Sequence, residues 1–325
     1  MLKSVLIMNE FTLIDHYFKS IPCKRNDVLF GIGDDAACLQ VPDGMHLLVS
    51  TDTLVSGIHF LPQWDPYDIA CKAVMVNISD MAAMGAQPCW VTLALTLPEL
   101  NQSWLDSFAR GIKDSLGLYN VDLIGGDTTK GPLSITLTIM GLTPQGQAIR
   151  RCGAQAGDAI MVSGELGAAG LAVKLLDEHK KVNAKDKVEL MNKLLHPKPR
   201  VDLCHLLRKY ATSAIDISDG LGADLNHICA ASGVGANLFE EAIPRHPLLN
   251  QYCPEQALDL ALSGGDDYEL CFTVSIQQLD SFNRDLQKEN LICFPIGVIE
   301  EKPGLRIQSA DSPSKELQPR GYSHF

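Results

Sequence analysis

The sequence predicts a mixed α/β (α+β) protein built as two domains, and three observations carry that expectation. Alternating, strand-like segments and segments with helical apolar spacing interleave through both halves of the chain. The 325 residues, 46% of them hydrophobic, suffice for two ordinary cores. The TPQG turn at 143–146 separates two such series and sets the expected domains at 1–145 and 146–325.

In chain order, EFTLIDHYF (10–18) has a helical rhythm, and HLLVSTDTLV (46–55) reads as a strand running into a polar turn. Asp65 is placed to cap a helix, with Pro66 at its first position and Asp68 in its first turn. That helix should run toward Met84 and stop at Gly85, with Lys72, Val76 and Asp80 on one face. A second helix is expected over 99–117, followed by VDLIGG and the alternating strand LSITLTIMG (133–141). In the second half AIMVSG (159–164) reads as a buried strand and 165–180 as a helix. The lysine-rich 178–193 reads as solvated helix and loop, and HPKPR (196–200) as an extended turn. Strand AIDI (214–217), a helix over 221–231, strand YELCFTV (268–274), a helix near 276–289 and strand FPIGVI (294–299) complete it. Asn77-Ile-Ser-Asp80 is echoed by Asp216-Ile-Ser-Asp219, either as a shared device or by coincidence.

Composition excludes several classes. A net charge of −12 argues against a nucleic-acid partner, although a small anion bridged by cations stays compatible. There is no apolar run of membrane-spanning length. The apolar stretch in MLKSVLIMNEF is broken by Asn9 and Glu10 and lacks a small-residue cleavage pattern, so a cytoplasmic protein is expected. The ten cysteines form no CxxC pair and read as reduced, core-filling residues.

Chemistry is signalled by a recurring pattern in which aspartate stands beside Gly, Ser or Thr at the end of an apolar segment. It occurs in GIGDD (31–35), STDT (50–53), NISD (77–80), GGDTT (125–129), DISDG (216–220) and SGGDD (263–267). Any one instance is an ordinary turn or helix cap. Six in one chain are not, because carboxylates converging on a cleft repel one another unless hard cations join them. Magnesium, shared between carboxylates and substrate phosphates, is the expected cation. The usual nucleotide signatures are missing; GELGAAG (164–170) lacks a Lys-Ser/Thr ending and reads as a strand-to-helix turn. His59, close after the STD site, is the histidine singled out.

These residues together resemble the thiamine-monophosphate kinase family, whose superfamily includes aminoimidazole ribonucleotide synthetase and selenophosphate synthetase. The resemblance runs through GIGDDAA (31–37), STDTLVSGIHF (50–60), DIACKAVMVNISDMAAMGAQP (68–88), LIGGDTTKGPLSITLT (123–138), HPKPR (196–200), SAIDISDGLGADL (213–225), ALSGGDDYELCFTV (261–274) and GYSHF (321–325). It implies ATP-dependent phosphorylation of thiamine monophosphate to thiamine diphosphate, the last step of that cofactor's biosynthesis, with several magnesium ions. It also implies an N-terminal domain whose sheet pairs with its twin in a homodimer, and a C-terminal α/β domain that closes the site.

Carried over by position, Asp35, Asp52, Asp80, Asp127 and Asp216 match magnesium ligands, with the oxygens of Ser50 and Thr51, and Asp219 matches a further metal position. Gly126, Asp127, Arg151 and Ser218 match ATP contacts, with Tyr119 a candidate flank for adenine. His59, Asp266 and Tyr322 match positions that hold thiamine phosphate. The chain departs from the family at Asp266, where glutamate is common. The acceptor phosphate is already ionised near pH 7, so no general base is needed and Arg151 serves as a charge stabiliser. Other ATP-using enzymes of the superfamily and a non-catalytic nucleotide- or metal-binding regulator are the alternatives. Cys23 in IPCKR argues against a selenophosphate synthetase-type nucleophile.

Overall fold

The computed structural model describes residues 10–178 and 181–323. The N-terminal apolar stretch through Asn9 and the last two residues of the GYSHF block lie outside the described residues. The chain separates into two compact units. One comprises the described residues up to Asn77 together with Pro88–Leu142; the other comprises Ile78–Gln87 and the described residues from Thr143 onward.

The first unit begins with α1 (Glu10–Leu13), which widens into a single π turn (Ile14–Phe18) closed by Lys19 N–H to Ile14 O at 2.9 Å. The expected 10–18 helix is therefore present, in two hydrogen-bonding registers. Strands β1 (Val28–Phe30) and β2 (Cys38–Leu39) form a small antiparallel ribbon. The main sheet contains β3 (Met45–Val55), β4 (Gln87–Leu97), β5 (Asp122–Lys130) and β6 (Ser134–Pro144) in the order β3-β6-β4-β5. β4 and β5 are parallel, joined by the crossover helix α3 (Gln102–Tyr119), which Asn101 caps through Trp104 N–H. Alternation divides the sheet faces. Ile135, Leu137 and Ile139 of β6 are buried, as are Leu105, Phe108, Ile112 and Leu116 of α3. On the other face Leu47 and Val49 are 41% and 58% exposed, and Thr51 and Thr53 pair with Thr138 and Thr136, each at 2.9 Å.

Helix α2 (Pro66–Ala83) starts as expected: Asp65 accepts Tyr67 N–H at 2.9 Å, and Gly85 ends the helix at φ +65°. It is not amphipathic, because every residue from 69 to 79 is buried. Its last turn belongs with the second unit, where Cys204 Sγ reaches Ala86 O, Arg208 Nη1 donates to Gly85 O at 2.6 Å, and Ile149 N–H donates to Met84 O.

The second unit continues with β7 (Ala159–Val162), α4 (Ala168–Asp177), α5 (Ala184–Leu195), α6 (Cys204–Tyr210), β8 (Ala211–Asp216), α7 (Leu221–Ser232), β9 (Gly235–Phe239), α8 (Pro247–Tyr252), α9 (Ala257–Ser263), β10 (Leu270–Val274), α10 (Ile276–Lys288), β11 (Phe294–Glu300), β12 (Gly304–Gln308) and β13 (Lys315–Leu317). Its seven strands are ordered β13-β12-β9-β11-β7-β10-β8, antiparallel except where β12 runs beside β9. β7 and β10 are buried along their whole length, which explains their continuous apolar runs. Phe272, Phe282 and Tyr210 meet edge to face in the adjoining core at 5.6–5.7 Å. Burial pushes the Cys204 thiol to about 12 and the Cys89 thiol to about 11, as suits unreactive core thiols.

The long strand β4, the short strands β1, β2, β9, β12 and β13 and the short helices α6, α8 and α9 have no counterpart in the sequence expectation. GELGAAG does join strand β7 to helix α4. The NISD/DISD echo is not a shared device: the first lies inside α2 and the second spans the end of β8.

Candidate active site in two units

In the first unit the GIGDD and IGGDT segments line one cavity of about 550 Å³. Asp35, Gly126 and Asp127 all face it, and Phe11, Ile14 and Phe18 supply an apolar wall. Asp35 and Asp127 are exposed. The close approach of β5 to β4 depends on Gly126, at φ +153°, where a Cβ would come 1.9 Å from Leu93 O. Tyr119 is not among the lining residues; it ends α3, five strand residues from Asp127 plus a turn.

Ser50 and Asp52 share one face of β3 by alternation, and Asp52 N–H is received by the buried Asn77 side chain of α2 at 3.3 Å. The Thr51 hydroxyl lies on the opposite face, paired with Thr138, so the three neighbouring oxygens do not form one side-chain cluster. After β3 the chain turns back on itself, and His59 Nδ1 accepts Val55 N–H at 3.0 Å. In the neutral ring this places the proton on Nε2. Asp80 follows Asn77 by three residues on α2 and is half-buried.

In the second unit two loops and the C-terminal segment meet. Asp216 ends β8, is buried, and accepts the Ser79 hydroxyl at 2.7 Å. Beyond it, Ser218 O accepts Asp266 N–H at 2.9 Å, Ile217 O accepts Tyr268 N–H at 2.8 Å, and Asp219 O accepts Tyr322 N–H at 3.1 Å. Ser218, Asp219, Asp266 and Tyr322 are thus brought together by main-chain hydrogen bonds. The approach is tight enough that a Cβ at Gly265 would lie 2.6 Å from Ser218 O. Asp266 adopts φ +68° and Tyr268 φ +49°, a strained run that the cross-loop bonds hold. Arg151 is exposed; its carbonyl accepts from Ser232, while Arg150 O accepts Ala214 N–H beside β8.

Several residues that sequence reasoning did not single out organise this unit. Asp224 accepts the N–H groups of Ser218, Asp219 and Gly220, and burial followed by the Asp219 charge lifts its carboxyl to about 7. Asp267 accepts Gly167 N–H at 2.7 Å, and burial raises it to about 8. Arg200 of HPKPR is paired with Asp202 and Glu269, and Glu269 also accepts from Ser163. Asp224 and Asp267 sit inside quoted motifs, but nothing in their spacing separates a loop-holding aspartate from a ligand.

Every proposed metal donor is an oxygen, which is the chemistry of a hard cation. Among the described residues no three His, Cys, Asp or Glu side chains gather closely enough to hold a metal by themselves. Magnesium commonly takes one or two carboxylates and completes its shell with water and substrate phosphate, so the donors suit an ion that arrives with a nucleotide. Among the described residues no helix is long and apolar enough to cross a membrane.

The two units correspond to a known class. Residues 33–143 match the AIR synthase related protein N-terminal domain family and residues 155–309 the corresponding C-terminal domain family. Thiamine-monophosphate kinase of Escherichia coli (strain K12) is 52% identical over 268 residues, covering 82% of each chain. Crystals of thiamine-monophosphate kinase from Stenotrophomonas maltophilia K279a gave a structure that superposes with a TM-score of 0.85 at 43% identity, covering 93% of this chain and 97% of that one. The structure described as AaThiL complexed with AMPPCP and TMP gives a TM-score of 0.78 at 33% identity, covering 97% of both chains. The chain therefore belongs to the thiamine-monophosphate kinase family and is an enzyme of the kinase class.

Proposed function

We propose that this chain transfers the γ-phosphoryl group of ATP to thiamine monophosphate, giving thiamine diphosphate and ADP. The observation that carries the reading is the cross-loop assembly of Ser218, Asp219, Asp266 and Tyr322, which joins positions of three separate sequence blocks. A relative of the same fold described as complexed with AMPPCP and TMP supports the two substrates.

In this reading the first domain (1–145) contributes metal and nucleotide groups and the second (146–325) contributes Arg151, Ser218, Asp266 and Tyr322. Asp35, Asp52, Asp80, Asp127, Asp216 and Asp219 hold magnesium, with oxygens of Ser50 and Thr51; Thr51 can join Ser50 and Asp52 only through its main chain, since its hydroxyl faces the other way. Gly126 and Asp127 line the cavity that takes ATP phosphates. His59, Asp266 and Tyr322 hold thiamine monophosphate. Tyr119, at the end of α3 and outside the lining of that cavity, is the proposed adenine flank.

Bound magnesium would neutralise phosphate charge. The protein's own task is positioning, with Arg151 balancing negative charge as it develops. An oxygen of the acceptor phosphate forms a bond to the γ-phosphorus while the bond to the β–γ bridging oxygen breaks and ADP departs, in line and without a phosphoenzyme. A homodimer through the Leu47/Val49 sheet face and a cytoplasmic location complete the proposal; large exposed apolar residues beside threonine ladders suit such a contact. A kinetically competent phosphorylated protein, trapped by rapid quench during turnover, would rule out direct transfer.

A further inference from the structure

Three consecutive main-chain N–H groups leading into a helix ordinarily make a concavity that binds phosphate. Residues 218–220, just before α7, have that form, yet the concavity is filled from within. Asp224, 2% exposed, comes from the first turn of the same helix. Its Oδ2 accepts the N–H groups of Ser218 at 3.0 Å, Asp219 at 3.1 Å and Gly220 at 3.1 Å. On the other side of the loop, Ser218 O and Asp219 O are taken by Asp266 N–H and Tyr322 N–H. The main chain of the loop is thus committed in both directions. What it offers a ligand is the Ser218 hydroxyl and the Asp219 carboxylate, and a bare triphosphate is repelled by the second.

We propose that Asp224 is a built-in acceptor: a positioning residue that occupies the phosphate-accepting end of α7 and fixes residues 218–220, so that this loop engages nucleotide through a cation presented to Asp219 rather than through its own N–H groups. This rests on the reading of the site as a phosphoryl-transfer centre. It separates the loop from glycine-rich phosphate cradles, in which main-chain N–H groups touch the phosphate directly. Here the same donors organise the side chains instead.

Hydrogen exchange of the full-length wild-type protein tests the idea. The amides of Ser218, Asp219 and Gly220 are expected to be protected without ligand, and to stay unchanged when ATP or inorganic phosphate is added without divalent cation. Rapid exchange in the free protein, or protection gained from phosphate alone, would overturn the proposal. In the kinase assay Asp224→Ala is expected to raise the magnesium concentration for half-maximal rate by roughly tenfold. Asp224→Asn, which keeps an oxygen acceptor, is expected to recover most of that loss. A folded alanine variant with wild-type magnesium dependence, or an asparagine variant as impaired as alanine, contradicts it. Should the alanine variant not fold, the wild-type exchange pattern and the asparagine variant still decide. A wild-type protein that forms no thiamine diphosphate would defeat the functional reading, whereas the exchange experiment would still judge Asp224.

Discussion

The two units hold their functional groups by different means. In the first, Asp127 reaches its cavity because Gly126 lets β5 lie where any Cβ would strike Leu93 O. Around it, Asp35 and Asp127 are exposed and the cavity wall is apolar. In the second, Asp216, Ser218 and Asp219 are set by hydrogen bonds: from Ser79 to Asp216, and from the loop amides to Asp224. Steric placement tolerates no substitution but leaves its carboxylates open to solvent and cations. Hydrogen-bonded placement can be weakened in steps, and it buries titratable groups.

The largest effect is expected from Gly126→Ala. A Cβ at 1.9 Å from a strand carbonyl cannot be relieved by a side-chain shift, so the variant should lose roughly 4 kcal/mol or more, measured by urea unfolding. A variant with near-normal stability would show that the strand packing is not limiting. Next come Asp52→Asn and Asp80→Asn, one from each unit. Each should lower turnover by roughly 10²–10³-fold with the thermal midpoint nearly unchanged. Near-normal turnover in either would remove that residue from the essential metal ligands.

Much of the framework behind these expectations was legible in sequence. Asp65, Pro66 and Gly85 bounded α2 correctly because capping chemistry is local. β7 was legible because four consecutive apolar residues have few other uses in a central strand. The short strands β9, β12 and β13 and the helix α6 were not, because their formation depends on partners distant in sequence. At the site, motif blocks located Asp35 with Asp127 and Ser218 with Asp266. They could not separate Asp216 from Asp224, or Asp266 from Asp267: the distinction lies in which amides each carboxylate meets after folding. Nor could spacing reveal that the serine of NISD donates to the first aspartate of DISD.

That serine gives the third test. Ser79→Ala removes one hydrogen-bond donor from the buried Asp216 carboxylate and should cost about 1–3 kcal/mol. Activity should fall by roughly tenfold; unchanged activity would mean that Asp216 needs no fixed orientation.

The smallest effect is a pH dependence. Burial lifts Asp267 to about 8, opposed by the Gly167 N–H and reinforced by the Glu269 charge. The folded protein thus keeps a proton that the unfolded chain, at an ordinary 3.8, releases. This contribution is fully favourable below about pH 4, erodes as pH rises toward about 8, and is constant above that. Asp267→Asn retains an oxygen for Gly167 N–H and cannot ionise. Its thermal midpoint relative to wild type should rise by a few degrees between pH 4 and pH 8. A parallel pair of midpoint curves would show that Asp267 is ionised in the fold.

The most direct measurement of the central claim is product formation by the purified protein supplied with ATP, magnesium and thiamine monophosphate. Stoichiometric thiamine diphosphate and ADP, abolished by chelating the metal, is the predicted result. No thiamine diphosphate, or its formation only from free thiamine, would contradict it.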